Sequence, residues 1–427
     1  MPSPRPPRGS TQDDVRRHNL SLILRELHRH GPRSRAELTA RMGLNRSTIG
    51  ALVAELAAAG LVYERRPRPG EGGAGDRAVP GGPVPPAPRD GARRRAGRPS
   101  LTVTPHSETV YVIAVNLGVR RLHVALVGLG GAVLARRRLD DQFGPGDPGS
   151  AVAAIVRTCR ELMAGTPPDA RCLGMGVAVP AVLRERDGFV RFAPNLGWKD
   201  VPLGAPLSQA LGMPVAVGNE ANLGVIAEHL RGRAVGFAHV IFMYGEVGVG
   251  GGVIVGDRLL GGSGGYAGEI GHIVVNPQGR VCRCGTRGCL ETELGADAVL
   301  RAVGAGQDAD PQDVSTLFDG RELPGLDSLS RWLGIGVGML VNIFNPDIVV
   351  LGGHLGPMFE AGAAQVRAEV ARRSLRAPWE QVRIVPSRLG NDALLGGAAE
   401  LAFAPLLHDP LGVVQQGSRA AQARVEW

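Results

Sequence analysis

The chain has 427 residues, 44% hydrophobic and only 4% aromatic, enough for two or three domains with a sizeable core. Its net charge of +8 is lopsided: 19 arginines against nine acids give the first 100 residues +10, which leaves −2 for the other 327. A basic head on a near-neutral body points to nucleic acid at the N-terminus. No apolar run reaches membrane-span length and no leader precedes the first helix, so we expect no membrane partner and a cytoplasmic, nucleoid-associated location. Lys199 is the single lysine, so phosphate and guanine contacts would fall to arginine with its bidentate fork, although a GC-rich genome gives the same bias.

Residues 1–10, M-P-S-P-R-P-P-R-G-S, read as a disordered basic arm. Val15, Leu20, Ile23, Leu24 and Leu27 then mark the buried face of a helix that Gly31-Pro32 stops. Ser34, with Glu37 three residues on, forms a capping box for a second helix over about 35–42, which Gly43 ends. Asn45 caps a third over about 46–59, with Ile49, Leu52, Val53 and Leu56 inward, and Leu61-Val62-Tyr63 starts a strand. Two short helices about a tight glycine turn, followed by a strand, describe a winged helix-turn-helix over 11–105. Arg46, Ser47 and Thr48 begin its recognition helix, where side chains meet base edges and phosphates; Arg35 and Asn45 stand beside them. The alternative is a three-helix bundle with solvated polar residues. Residues 65–100 are dominated by Pro, Gly and Arg and lack core positions, so they read as a long loop inserted in the wing before Leu101-Thr102-Val103 returns. Arg93, Arg94, Arg95 and Arg98 either enter a minor groove or form a solvated basic linker.

From Val110 the pattern changes to three antiparallel strands within 110–139, a helix over 150–164 and the buried strand C-L-G-M-G-V-A-V-P. F-A-P-N-L-G-W-K-D reads as loop, and P-V-A-V-G-N-E-A-N-L-G as a strand running into a helix. A second hairpin follows at 239–257, then a helix over about 327–344, the strand I-V-V-L-G-G, a helix over roughly 357–373, a strand at 382–385 and a helix at 392–404. Strand triplets with crossover helices, occurring twice, suit two similar α/β lobes around a cleft. We place them at 106–218 and 219–390, with 391–427 a last helix and tail.

Between Gly264 and Glu293 the chain gathers three of its five cysteines, Cys282, Cys284 and Cys289, with His272 ten positions upstream. Three thiolates and an imidazole complete a tetrahedral shell for Zn²⁺, and such a closed shell is structural rather than catalytic. Gly285 and Gly288 let the loop turn tightly enough for Cys284 and Cys289 to reach one ion. One structural zinc per chain, in a loop over 269–293, is the expectation; the alternative is a loop of reduced cysteines without metal.

E-x-G-H followed by C-x-C-G-x-x-G-C-x-E resembles the signature of the ROK family of sugar kinases and sugar-responsive repressors, and the resemblance runs from about residue 12 to about 405. It implies an actin-like, ribonuclease H-like two-lobed fold behind the winged head. It also implies that Glu269, His272 and Glu291 hold sugar hydroxyls, which suits carboxylates accepting charge-assisted hydrogen bonds. Asn195, in P-N-L-G-W, matches another sugar contact, and Asn219-Glu220-Ala221-Asn222 matches N-D-A-N, whose Asp is the kinases' base. Glu220 there is one methylene longer, and errors near 1 Å cost about a hundredfold in rate. Asn219 and Glu220 either hold sugar or simply cap a helix. The D-x-G-x-T phosphate turn is replaced by Asn116-Leu117-Gly118-Val119-Arg120, and the second phosphate loop has Val247 for Thr behind Glu246, whose charge would repel a triphosphate. The leading reading is a dimeric, or dimer-of-dimers, sugar-responsive regulator, most often a repressor, with kinase activity lost. The alternatives are a sugar kinase with a fused DNA-binding head, and a regulator whose vestigial cleft answers to a partner protein.

Overall fold

The computed structural model describes residues 11–66, 100–119, 121–140, 146–304, 314–318 and 323–415. The expected arm (1–10), residues 67–99 of the wing insertion with Arg93, Arg94, Arg95 and Arg98, Arg120, and the end of the tail lie outside the described residues, whereas Arg65, placed in the insertion by the sequence, ends a strand. The chain divides into two compact units, Met1–Ser107 with Pro405–Trp427, and Glu108–Ala404.

In the first unit, Thr11 and Asp14 form a capping box that opens α1 (Gln12–His30), a signal that sequence reading missed. Leu20, Ile23, Leu24 and Leu27 are buried, but Val15 is 49% exposed, a correction to the expected face: it lies in the first turn, before the packed stretch begins. The two-residue β1 (Arg33–Ser34) leads into α2 (Arg35–Met42), with the Ser34/Glu37 capping box in place and Gly43 left-handed at φ +66°. Asn45 caps α3 (Arg46–Ala58), which buries Ile49, Leu52, Val53 and Leu56. β2 (Val62–Arg65) and β3 (Thr102–Pro105) pair antiparallel, and β1 adds to the other edge of β3 to complete the winged helix-turn-helix.

The second unit holds one arrangement twice. β4 (Val110–Leu117), β5 (Arg121–Gly128) and β6 (Val133–Asp140) run antiparallel. α4 (Pro148–Met163) returns the chain to β7 (Arg171–Val179), parallel to β4. A small sheet of β8 (Val182–Arg184), β9 (Phe189–Ala193) and β10 (Trp198–Pro202) follows, then α5 (Gly204–Leu211) and β11 (Val215–Asn219), parallel to β7. F-A-P-N-L-G-W-K-D is thus not a loop but the tip of a hairpin, with Gly197 at φ +69° in its turn. After α6 (Glu220–Arg231) the second copy runs β12 (Val240–Gly245), β13 (Val249–Val255) and β14 (Arg258–Leu259). It continues through α7 (Leu290–Leu294), α8 (Ala296–Ala302), α9 (Leu326–Phe344), β15 (Ile348–Gly353), α10 (Leu355–Arg373), α11 (Arg376–Gln381) and β16 (Arg383–Pro386).

The strand orders are β11-β7-β4-β5-β6 and β16-β15-β12-β13-β14, the same topology in each lobe. Central strands β4 and β12 are buried along their whole length, while the edge strand β6 carries exposed Arg136, Arg137 and Arg138, charge that discourages edge-to-edge pairing. α6 seats on β13 because Gly252 has no Cβ: one there would come within 2.3 Å of the Ala221 carbonyl oxygen. α12 (Asp392–His408) closes the fold and runs four residues past its expected end. Its last turn belongs to the first unit, where the Leu407 carbonyl accepts from Ser21 Oγ at 2.6 Å and Arg25 Nε at 3.1 Å.

Candidate functional site

The ends of β11 and α6, the β12–β13 turn, the β9–β10 hairpin and the metal loop meet around one cleft. Asn195, Asn219, Glu220, Glu269, His272 and Glu291, all singled out in the sequence, line it together with Val119, Glu246, Val247 and Gly248. Asn219 is chiefly a helix cap: its Oδ1 accepts from the Ala221 and Asn222 amides at 2.9 and 3.1 Å, and its Nδ2 donates to the Ala181 carbonyl at 3.1 Å. One amide proton is left for a ligand. Glu220 does not cap. It is buried with Oε2 unpartnered, and burial first, then the nearby Glu246 and Glu291 carboxylates, hold its pKa well above the usual range.

Glu246, which the sequence marks as hostile to a triphosphate, also lines the cleft. Burial raises its pKa although the Arg121 guanidinium and the Tyr244 hydroxyl favour its charge. Glu269 is likewise raised by burial, opposed by His272 and assisted by Glu291. The Glu291 Oε2 accepts from the Val249 amide at 3.1 Å, and a Cβ at position 248 would lie 2.1 Å from that same oxygen, so a larger residue there would displace the Glu291 carboxyl group. Asn195 Oδ1 accepts from Arg283 Nη1 at 2.6 Å. Sequence reading missed Arg283, although its place between Cys282 and Cys284 was a usable signal.

In the two turns that resemble phosphate loops in the sequence, Asn116 is buried with Oδ1 unpartnered, and Val119 and Val247 contribute no hydroxyl.

The metal loop hangs between the turn Ile270–His272 and α7. The ligand atoms of His272, Cys282, Cys284 and Cys289 all lie within 4.8 Å of one another, and this group could hold a metal ion. Cys282 Sγ is 3.7 Å from His272 Nδ1, and Cys284 Sγ is 3.7 Å from Cys289 Sγ. A zinc tetrahedron with Zn–S near 2.3 Å has edges of about 3.8 Å, so these residues fit the ion. Gly288 (φ +78°) is required: a Cβ would fall 1.6 Å from the Asn276 carbonyl oxygen. A metal on Nδ1 would leave the His272 proton on Nε2, as a donor to a ligand in the cleft.

In the head, Arg46 and Ser47 are exposed at the start of α3 and Thr48 is half-buried. Asn45 Oδ1 accepts from the Thr48 amide at 2.8 Å and from Ser47 Oγ at 2.7 Å, which makes Asn45 a positioning group. Arg35 is committed elsewhere: its guanidinium grips both carboxylate oxygens of Glu64 on the wing strand.

A winged helix-turn-helix joined to a two-lobed α/β body with a polar cleft and a Cys3His loop is the architecture of a sugar-kinase-like fold carrying a DNA-binding module. The ROK family model matches residues 112–404 and a MarR family model matches residues 21–72. The chain belongs to the ROK family. It is 27% identical over 397 residues to the xylose repressor of Bacillus subtilis strain 168, across 92% of this chain and 96% of that protein. The crystal structure of a ROK family transcriptional regulator, a homolog of the E. coli MLC protein, matches with a TM-score of 0.72 over 94% of this chain and 98% of that one; at 24% identity the likeness speaks for the fold. A ROK family glucokinase from Streptomyces griseus, solved with glucose and AMPPNP, matches at 26% identity and a TM-score of 0.60, covering 69% of this chain and 99% of the kinase. The chain is thus related to both regulators and kinases. Among the described residues no helix is long and apolar enough to cross a membrane.

Proposed function

We propose that this protein is a sugar-responsive DNA-binding repressor, acting in the cytoplasm as a homodimer, whose cleft binds a monosaccharide without phosphorylating it. The observation that carries the reading is the asymmetry of the cleft. Three carboxyl groups, an imidazole and Asn195 converge where hydroxyls would sit. The turns that resemble the kinases' phosphate loops instead present Val119, Val247 and the buried Glu246 to the same cleft. Glu269, Glu291 and Glu220 accept sugar hydroxyls, His272 donates through Nε2, and Asn195 contributes its amide. Zinc held by His272, Cys282, Cys284 and Cys289 fixes Glu291 and His272 before the ligand arrives, which reduces the ordering entropy lost on binding. A carboxylate at 246 repels a triphosphate, and Glu220 carries its charge one methylene from where the family's base stands. Similarity to the xylose repressor along nearly its whole length, head included, supports regulation over catalysis.

In the head, Arg46, Ser47 and Thr48 read the major groove. One short helix reads only a few base pairs, so useful specificity takes two half-sites and hence a dimer. Incubation with radiolabelled ATP and a monosaccharide panel tests the reading: a sugar that binds by calorimetry and yields no sugar phosphate is expected. Efficient product formation would make the protein a kinase with a fused head.

A further inference from the structure

Beside the cleft lies a second concavity of about 440 Å³, sharing Val247 and Glu291 with it and lined by Arg280, Arg283, Arg287 and Arg301. Its acids are Glu291 and Asp297. Asp297 pairs with Arg283 at 3.3 Å, and Glu291 Oε2 accepts from the Val249 amide at 3.1 Å. Arg287 and Arg301 donate to the uncharged carbonyls of Gly279 and Thr292, at 2.8 and 3.1 Å. Arg280 has no ion-pair partner among the described residues. Four guanidinium groups thus line the concavity against two carboxyl groups, Glu291 and Asp297, and Asp297 and Glu293 also act on Arg301, so the wall keeps an excess of positive charge. Such planar forks match the oxygens of a phosphate or carboxylate. Arg283 ties this wall to the cleft through its 2.6 Å hydrogen bond to Asn195.

We propose that this arginine-lined concavity is an anion subsite of the effector cleft, and that the effector is a monosaccharide bearing a phosphate or carboxylate. The inference rests on reading the cleft as a sugar site. Hydroxyls engage Glu269, Glu291 and His272 while the anionic substituent lies against Arg280, Arg287 and Arg301. Arg283 stands at the junction, where it can exchange its bond to Asn195 for one to the anion.

The test is calorimetry on the full-length, zinc-loaded protein with matched ligands: glucose, xylose and N-acetylglucosamine, each beside its phosphate esters, together with glucuronate and inorganic phosphate. At least one anionic sugar should bind tenfold or more tighter than its neutral parent, and the gain should shrink as salt rises. Arg280→Gln combined with Arg301→Gln should erase the gap between the pair, and Arg280→Glu should invert it. Equal affinity for neutral and anionic sugars, a gap that survives both variants, or inorganic phosphate alone binding with no gain for any phosphorylated sugar each overturns the subsite while leaving the sugar reading standing. If no sugar of either kind binds, the functional reading falls and the subsite with it.

Discussion

Glu220 has an unpartnered oxygen, and burial first, then the Glu246 and Glu291 carboxyl groups, raise its pKa. A carboxyl with a raised folded-state pKa holds its proton more tightly folded than unfolded. Its stabilising proton is fully present at low pH and lost as pH climbs from the ordinary carboxylate range through the raised value. Glu220→Gln, which cannot ionise, should therefore raise the Tm of sugar-free protein at pH 8 and leave it near wild type at pH 4; equal melting at both pH values would mean the acid is not strained in the fold. Because hydroxyl donors favour the charged form, sugar affinity should increase with pH over the same window, with proton release visible by calorimetry in buffers of different ionisation enthalpy. The two head arginines should behave differently. Arg46→Ala should weaken specific DNA binding by about 1–3 kcal/mol, or about 5–150-fold, without altering the fold. Arg35→Ala should act through Glu64, costing at most about 1 kcal/mol of stability, non-additively with Glu64→Ala. Sequence spacing alone put both arginines at the interface; only the Glu64 contact, 29 residues away along the chain, separates them.

At the scale of elements, local chemistry decided what could be read. The α2 capping box, the Asn45 cap and the glycine stop after α2 placed the helix-turn-helix within a residue or so, because each signal lies inside the few residues it governs. The β9–β10 hairpin and the two-residue β1 escaped, since a short strand exists through its partner and not through its own pattern. Cysteine spacing made the metal loop legible, yet the approach of Arg283 to Asn195 depends on tertiary geometry that spacing does not carry. The loop's glycine is as necessary as its ligands. Gly288→Ala should lose zinc as fully as Cys282→Ser does, read by metal analysis of chelator-washed protein. Both variants should blunt the sugar response more than DNA binding, because the head lies in a different unit from the loop. Full zinc content in Cys282→Ser protein would remove Cys282 from the ligand set.

The whole chain combines a basic head with a duplicated α/β body, and its function depends on coupling the two. A ligand changes DNA affinity only by its own preference for one body conformation over another, so the effect is bounded by that preference. The body should be dimeric at micromolar concentration by sedimentation, with bound half-sites one or two helical turns apart in footprints; a monomeric body would break the two-half-site scheme. The most direct test of a sugar-controlled repressor is a fluorescence-anisotropy titration of full-length protein on DNA that it has itself selected from a random pool, repeated with neutral and phosphorylated monosaccharides and no nucleotide. One sugar class should lower DNA affinity by about 5–150-fold, the usual span of such couplings, whereas DNA affinity unchanged by every sugar, or changed only when ATP is supplied and sugar phosphate accumulates, would contradict it.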